Sequence, residues 1–583
     1  MAVKVDAPEP RVRRSVWLAV LSLLVAYAVQ CLAFARANAQ TYDEGVNLAA
    51  GLRILETGRD DVNLEHPPLA KVLVALPVAA FAKPHVDLDA WAARRESAFG
   101  LGRDVFYSSG VSHETLLWLG RAPVMLLALA LVFSIGAFAW RLFGPRAAVV
   151  AVGLAAFDPN LVAHGSLMGL DLPLTLFVTG MFFVLHEYAR TRRASFLLAA
   201  GLLGGFALAT KHSGPVYLGA ALAGLVAHAA ISGDQGVWWE SDRAAPSRLR
   251  AVGHALGNAL LVAGLALFVV RVALGSAGWG AYFAGVRAQL AHQSHGHPAF
   301  FMGRIASDGF PLYFPVALAL KMPPLTLLAG LLSVVALRRG TPFGRAVFFV
   351  LVPLVLVLAT LFFARINIGV RYALPLWPLF ILLASRLATL PAHRARVWGF
   401  AFVAALHVLA AIRISPHHLA FASDLAGGPS RLRRYLADSN LDWGQDIGTL
   451  GRWLREREPP RRLYLSYFGT AEPRAYGVEY LLAPTSCPHP APWQRPAERA
   501  SGRELLAVSV MNLQGVFFGS AAPYAWLEAR TPVAVLGHSI HVYDITDDLA
   551  AHSALAELYE RYGPKELAIE ERARVAALGA RTP

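Results

Sequence analysis

Two adjacent acids, Asp43 and Glu44, stand in "TYDEGVNLAAGLRILETG", and further on Glu65 and His66 precede two prolines and Lys71 in "EHPPLAKVLVALP". Asp158 in "AAFDPN" and Asp171 in "GLDLPLTLF" add carboxylates. Lys211 in "ATKHSG", Arg304, and Arg365 with Arg371 in "ARINIGVRYALPLWP" add cations, and His292, His295 and His297 crowd "AHQSHGHPAF". A carboxylate held beside a hydroxyl takes its proton. Grouped cations hold an anion, arginine by its planar fork. Imidazoles with a carboxylate suit a divalent metal, here Glu65 with His292 and His295.

Each group also has a plainer use. Thr41 and Glu44 have the spacing of a capping box, in which the glutamate reaches back to the threonine N–H. Asp43 and Glu65 would favour the positive end of a helix dipole, and Asp158 and Asp171 would cap helices. The cations would snorkel at a membrane surface, and the histidines would populate a polar loop. Lys71 lacks such an excuse: it sits a turn into an apolar helix, where an anionic group could be held.

The elements that must position these groups are apolar. Of 583 residues 56% are hydrophobic and only 16% charged, against about 25% charged in soluble domains, and the mean hydropathy is +0.46. The excess lies in blocks of about twenty residues, long enough to cross about 30 Å of hydrocarbon. Such blocks run roughly 15–35, 120–140, 147–163, 172–189, 195–210, 214–231, 253–275, 313–337, 346–363, 372–390 and 397–414. The first follows "RVRR" and is longer than the apolar core of a cleaved signal peptide, so it reads as a retained span. An α-helical polytopic membrane protein of about eleven transmembrane helices is expected.

Arginines mark alternate connections: "WRLFGPR", "ARTRR", "DRAAPSRLR", "LRRGTPFGR" and "SRLATLPAHRAR". By the positive-inside rule these are cytoplasmic, with 1–14. The same distribution accounts for the net charge of +14, since the arginines form no continuous stripe for nucleic acid. Two cysteines, Cys31 and Cys487, make neither a disulfide framework nor a cysteine metal site.

A membrane domain over 15–414 then carries two outer loops, 36–115 and 276–312, and residues 415–583 form a tail of soluble composition outside the cytoplasm. Leu48, Leu52 and Leu55 share a face before Gly58, which predicts a short interfacial helix in the first loop. In the tail, "RRYLADSNLDWGQDIGTLGRWLRERE" reads as helical, "RRLYLSYFG", "ELLAVSVM" and "PVAVLGHSIHVYDI" as strands, and two polar helices follow: a small α/β domain. All the acids and the counter-bias cations fall on the outer face. Ionisable groups converging at membrane depth favour a functional site.

The "DE" pair after the first span, "HPPLAK" later in that loop, the aspartate opening the fourth span and "TK" near the fifth resemble the C-type membrane glycosyltransferases. The likeness is to the family-39 group of protein O-mannosyltransferases and bacterial aminoarabinose transferases. "FDPNLVAHG", "INIGVRYALPLWP" and "DSNLDWGQD" resemble bacterial lipid-carrier-dependent members. This resemblance implies a helical bundle with an outer-face active site in a bacterial plasma membrane. It implies a sugar donor on polyprenyl phosphate, no nucleotide cofactor, and inversion at the anomeric carbon. Asp43 then matches the catalytic acid and Glu65 the acid before the proline pair. With Asp43 as the general base, Asp171 or Glu65 would support acceptor or metal. Where aminoarabinose transferases carry "EKPP", His66 replaces the lysine. Holding the donor phosphate accordingly falls to His66, Lys71, Lys211, Arg365 and Arg371. A divalent metal on Glu65, His292 and His295 is the one cofactor the residues suggest.

The acceptor stays open between protein, lipid and glycan. Two other readings stand beside the enzyme. A transporter would place its charges near the bilayer midplane, within repeated halves. A non-catalytic receptor or assembly factor would act through the tail.

Overall fold

The computed structural model describes residues 10–88, 91–92, 97–232, 247–335, 344–389, 394–486, 495–496, 501–519 and 522–580. Residues 1–9, much of the arginine-bearing connections 242–250 and 337–345, residues 390–393 and Cys487 lie outside these.

The protein is an integral membrane protein, mostly helical. Among the described residues six helical segments are long and apolar enough to cross a bilayer: Arg14–Ala37, His113–Phe143, Asp171–Thr191, Gly214–Ser232, Arg248–Ala273 and Val370–Thr389. A seventh arises if Tyr313–Lys321 and Pro324–Val335 count together, though they bend by 118°. The other apolar blocks fall, among the described residues, in bent or shorter helical segments. The block 147–163 breaks at Phe157–Asp158 into Pro145–Ala156 and Pro159–His164, and twelve residues reach only about 18 Å. The 313–337 block bends because Pro323 and Pro324 end one helix and start the next. Lys321, buried just before them, donates to the Leu419 and Asn440 carbonyls at 2.7 and 2.6 Å.

Outward leucines such as Leu126, Leu260 and Leu328 are exposed, as expected where lipid is the solvent. Close packing between spans uses small residues instead. A Cβ at Gly205 would come within 2.4 Å of the Val269 Cβ, and one at Gly201 within 2.6 Å of the Leu265 side chain, so this glycine pair lets helices Ala194–Thr210 and Arg248–Ala273 touch.

The described part of the first outer loop includes the short helices Glu44–Thr57, Pro68–Pro77 and Ala98–Tyr107. Glu44–Thr57 is the expected amphipathic helix: Leu48 is buried, Leu52 partly so, Leu55 exposed, and Gly58 ends it in the left-handed region at φ 70°. It meets Pro68–Pro77 at Gly51, where a Cβ would lie 2.0 Å from the Lys71 carbonyl oxygen. The second outer loop forms a helix, Gly278–His295, and a hairpin of β1 (Ala299–Phe301) and β2 (Arg304–Ala306).

The tail is α/β, as expected. Its strands are β3 (Arg462–Ser466), β4 (Leu481–Leu482), β5 (Glu504–Ser509), β6 (Ala534–Leu536) and β7 (Ile540–Asp544), in sheet order β4-β3-β5-β7-β6. β3 runs parallel to β4 and β5, and β7 antiparallel to β5 and β6. "PVAVLGHSIHVYDI" is a hairpin, not one strand, because Gly537 and His538 turn the chain with positive φ. The expected long helix over 433–458 is also absent: within it only Ile447–Arg455 is α-helical. Asp438 and Gly444, with φ of 57° and 85°, make the intervening run a loop. The polar helices Leu549–Tyr562 and Lys565–Gly579 close the chain, and His552 meets Glu571 between them at 2.7 Å. One apolar core runs from the membrane helices into this tail, joining Phe34 and Trp377 to Tyr464 and Leu555.

Candidate active site

The two acids of "DE" face different surroundings. Glu44 starts helix Glu44–Thr57, and its carboxylate accepts the Thr41 N–H at 2.8 Å, the Met168 N–H at 3.0 Å and two bonds from Arg121 at 2.8 and 2.7 Å. Half of the expected capping box forms: Glu44 reaches back to the Thr41 N–H, but the buried Thr41 hydroxyl caps nothing, and a buried ion pair holds the glutamate instead. Asp43 precedes the helix without capping it. Its side chain is 32% exposed, and it accepts a hydrogen bond of 2.7 Å from Arg371 Nη1.

Arg371 opens the 3₁₀ segment Val370–Leu376. The same nitrogen lies 3.9 Å from Asp171, which begins helix Asp171–Thr191 and accepts from Lys211 at 2.5 Å. Two acids and two cations thus alternate in a line, Asp43–Arg371–Asp171–Lys211. Aromatic faces hold the cations: Arg371 lies 4.4 Å from the Trp443 ring centroid, and Lys211 4.1 Å from that of Tyr372. The buried Arg371 Nε has no hydrogen-bond partner, which leaves a cationic donor available. Arginines from the other end of the bundle stay remote. Glu187, which meets Arg141 and Arg190, is about 24 Å along the helix from Asp171.

Of the four aligned groups, Asp43 and Arg371 border a cavity of about 490 Å³ that Glu65, His66, His292, Asp438 and Trp443 also line, among others. Asp438 and Trp443 come from "DSNLDWGQD", a segment whose residues were given no site role from sequence. Asn440 accepts the Val370 N–H at 2.9 Å and Ser439 donates to the Ile368 carbonyl at 2.6 Å, so this loop of the tail sets the backbone that carries Arg371. Burial pushes the Asp438 carboxyl up to about 7, against the lowering pull of Arg371. The available signal was composition: acids, an amide and a tryptophan packed into one run suit a polar interior loop better than a helix.

Other expected site residues fall elsewhere. Lys71 is fully buried and donates to the Asp60 carboxylate, the Asn63 carbonyl at 2.9 Å and the His66 carbonyl at 2.7 Å. All three of its protons fasten the outer loop, so none is left for a ligand. His66 does line the cavity, but burial, with Lys211 and Lys71 nearby, holds its imidazole well below the usual range. It is neutral there and supplies no positive charge. Arg365 is exposed and donates to the Ser294 carbonyl at 3.2 Å, outside the cavity lining. Arg304 is exposed on β2.

The metal set does not assemble. Glu65, 48% exposed, lies 3.3 Å from His292, but His295 turns back to the Ala291 carbonyl at 2.7 Å. Among the described residues no three His, Cys, Asp or Glu side chains gather to hold an ion. Asp158 serves as a cap: its carboxylate accepts the Asn160 and Leu161 N–H groups at 2.9 and 3.1 Å and the Trp377 indole at 3.1 Å.

Among solved structures, the fold is similar to ArnT from Cupriavidus metallidurans in the apo state, at 15% identity and a TM-score of 0.46, covering 91% of this chain and 98% of that one. It is similar to the same protein bound to undecaprenyl phosphate, at 15% identity and 0.45, covering 91% and 97%. It is also similar to the archaeal oligosaccharyltransferase AglB from Archaeoglobus fulgidus in complex with an inhibitory peptide and a dolichol-phosphate, at 14% identity and 0.42, covering 82% and 61%. No curated protein matches the sequence. Residues 111–241 match the family model of dolichyl-phosphate-mannose-protein mannosyltransferase. Over that stretch, which carries Asp158, Asp171 and Lys211, the chain is similar to these mannosyltransferases.

Proposed function

We propose that the protein is a lipid-carrier-dependent glycosyltransferase, moving a sugar from a polyprenyl phosphate to an acceptor hydroxyl at the outer face of the membrane. One observation carries this reading. The Asp43 carboxylate and its partner at 2.7 Å, the Arg371 guanidinium, belong to residues that line the same cavity. A base and an anion-holding cation side by side are what glycosyl transfer from a phosphate requires. The match to a family named for a dolichyl-phosphate sugar supports the donor class.

In this mechanism the acceptor oxygen attacks the anomeric carbon as its proton passes to the Asp43 carboxylate. The bond from that carbon to the phosphate oxygen breaks, and its electron pair stays on the departing polyprenyl phosphate. Arg371, with Lys211 behind it, steadies the added charge. Asp171 holds both cations in place, and Glu65 at the cavity rim orients the acceptor. His66 offers a neutral imidazole to an oxygen.

The test is turnover by the purified protein with a panel of polyprenyl-phosphate sugars and protein, lipid and glycan acceptors. Acceptor-dependent release of polyprenyl phosphate is expected with at least one pair. Folded protein that binds no polyprenyl phosphate would refute the reading.

A further inference from the structure

A second cavity, of about 300 Å³, lies outside the proposed active site where the first span meets the tail. Arg36, in the last turn of helix Pro10–Ala37, lines it, with Arg452 and Arg455 of helix Ile447–Arg455. Arg452 donates to the Ala37 carbonyl at 3.1 Å and to the Thr449 hydroxyl at 3.0 Å, and Arg455 to the Tyr476 carbonyl at 3.1 Å. Arg36 is exposed and has no hydrogen-bond partner, and none of the three arginines pairs with a carboxylate among the described residues. The cavity's one acid, Glu114, lies 3.4 Å from His113.

Snorkelling accounts for an arginine at the end of a span, but not for two more arriving from a soluble domain to share its cavity. The position fixes the membrane level. The cavity wall includes the end of one span and the start of the next, where Trp118 is 39% exposed, as suits an interfacial tryptophan. We infer that this cavity binds the phosphate of an anionic phospholipid headgroup, seated between the first span and the tail. The site has a route to the chemistry. Arg452 holds Ala37, and two residues later Ala39 N–H donates to the Gln445 carbonyl and Tyr42 N–H to that of Trp443, directly before Asp43. A headgroup there would brace the strap that carries the proposed base.

The test counts lipids retained by the purified full-length protein in native mass spectrometry, with phosphatidylglycerol or phosphatidylcholine added. The wild type should prefer phosphatidylglycerol, because the choline cation offsets the phosphate charge. Arg36→Gln with Arg455→Gln should weaken its binding about tenfold or more, and the Lys pair, which keeps the charge, should restore it. Arg36→Gln alone changes an exposed, unpartnered side chain, so it carries the test if the double variant unfolds. Equal retention of the two lipids, or undiminished phosphatidylglycerol binding by folded Gln variants, overturns the inference. Displacement by millimolar inorganic phosphate would assign the site to a free anion and overturn the lipid assignment. None of these readouts depends on glycosyl transfer.

Discussion

Arg121 and Glu44 form a two-bonded ion pair with both side chains almost wholly hidden from solvent. Arg121 also donates to the Ala35, Asn38 and Ala39 carbonyls, so it gathers the end of the first span and the start of the outer loop around one carboxylate. The neighbouring carboxylate, Asp43, is thereby released from structural duty. Removing one member of a buried pair strands the other, at about 3–5 kcal/mol. Arg121→Met should therefore lower unfolding stability by roughly that amount, far more than the loss of an exposed cap. A thermal or denaturant midpoint close to wild type would show that the pair is dispensable.

Asp43→Asn keeps the shape and a hydrogen-bond acceptor for Arg371 but removes the proton-accepting charge. Transfer should fall about 10²–10⁴-fold while donor binding persists. Single-turnover rates at saturating donor decide this. Transfer near the wild-type rate would move the base to another carboxylate, Glu65 or Asp438 being the others in the cavity.

Arg371→Gln should weaken binding of a polyprenyl-phosphate sugar about ten- to a hundredfold, the worth of a charge-assisted contact of about 1.5–3 kcal/mol. Lys71→Gln should instead destabilise the outer loop, because its donors close on Asp60, Asn63 and His66. Equal losses of donor affinity in the two folded variants would contradict this division of labour.

Asp442 is buried beneath the site loop and accepts the Met511 N–H at 3.1 Å and the Gly444 N–H at 3.4 Å. Burial outweighs these bonds and pushes its carboxyl from 3.8 up to about 8. A carboxyl raised on folding binds its proton more tightly in the native state, so stability falls as pH climbs from about 4 to about 8. Asp442→Asn removes that dependence. Its stability relative to wild type should rise over the window, and a difference that stays flat with pH would mean that Asp442 is ionised in the fold.

The arginine-rich connections predict the orientation in the membrane. A reporter active only in the cytoplasm, fused after the last helix Lys565–Gly579, should stay dark, with the tail and Asp43 on the far side. A bright reporter would reverse the orientation of the site.

Composition and periodicity by themselves determined the membrane class, the apolar blocks, the first outer-loop helix with its Gly58 stop, and an α/β tail, because these are local properties of hydropathy and turn chemistry. They also singled out Asp43, Glu65, Asp171, Lys211 and Arg371 by charge out of place. Tertiary structure decided what each charge does. Lys71 and Arg371 look alike in sequence as cations near the surface, yet one closes a loop and the other lines a cavity, because only packing sets which acceptors lie within reach. The breaks at Asp158 and at Pro323–Pro324, which divide two of the apolar blocks, were likewise set by the fold. The part of the tail in the site was illegible for the same reason. Asp438 and Trp443 lie far along the chain from Asp43, and a positive φ at Asp438, which no helical pattern announces, delivers them there.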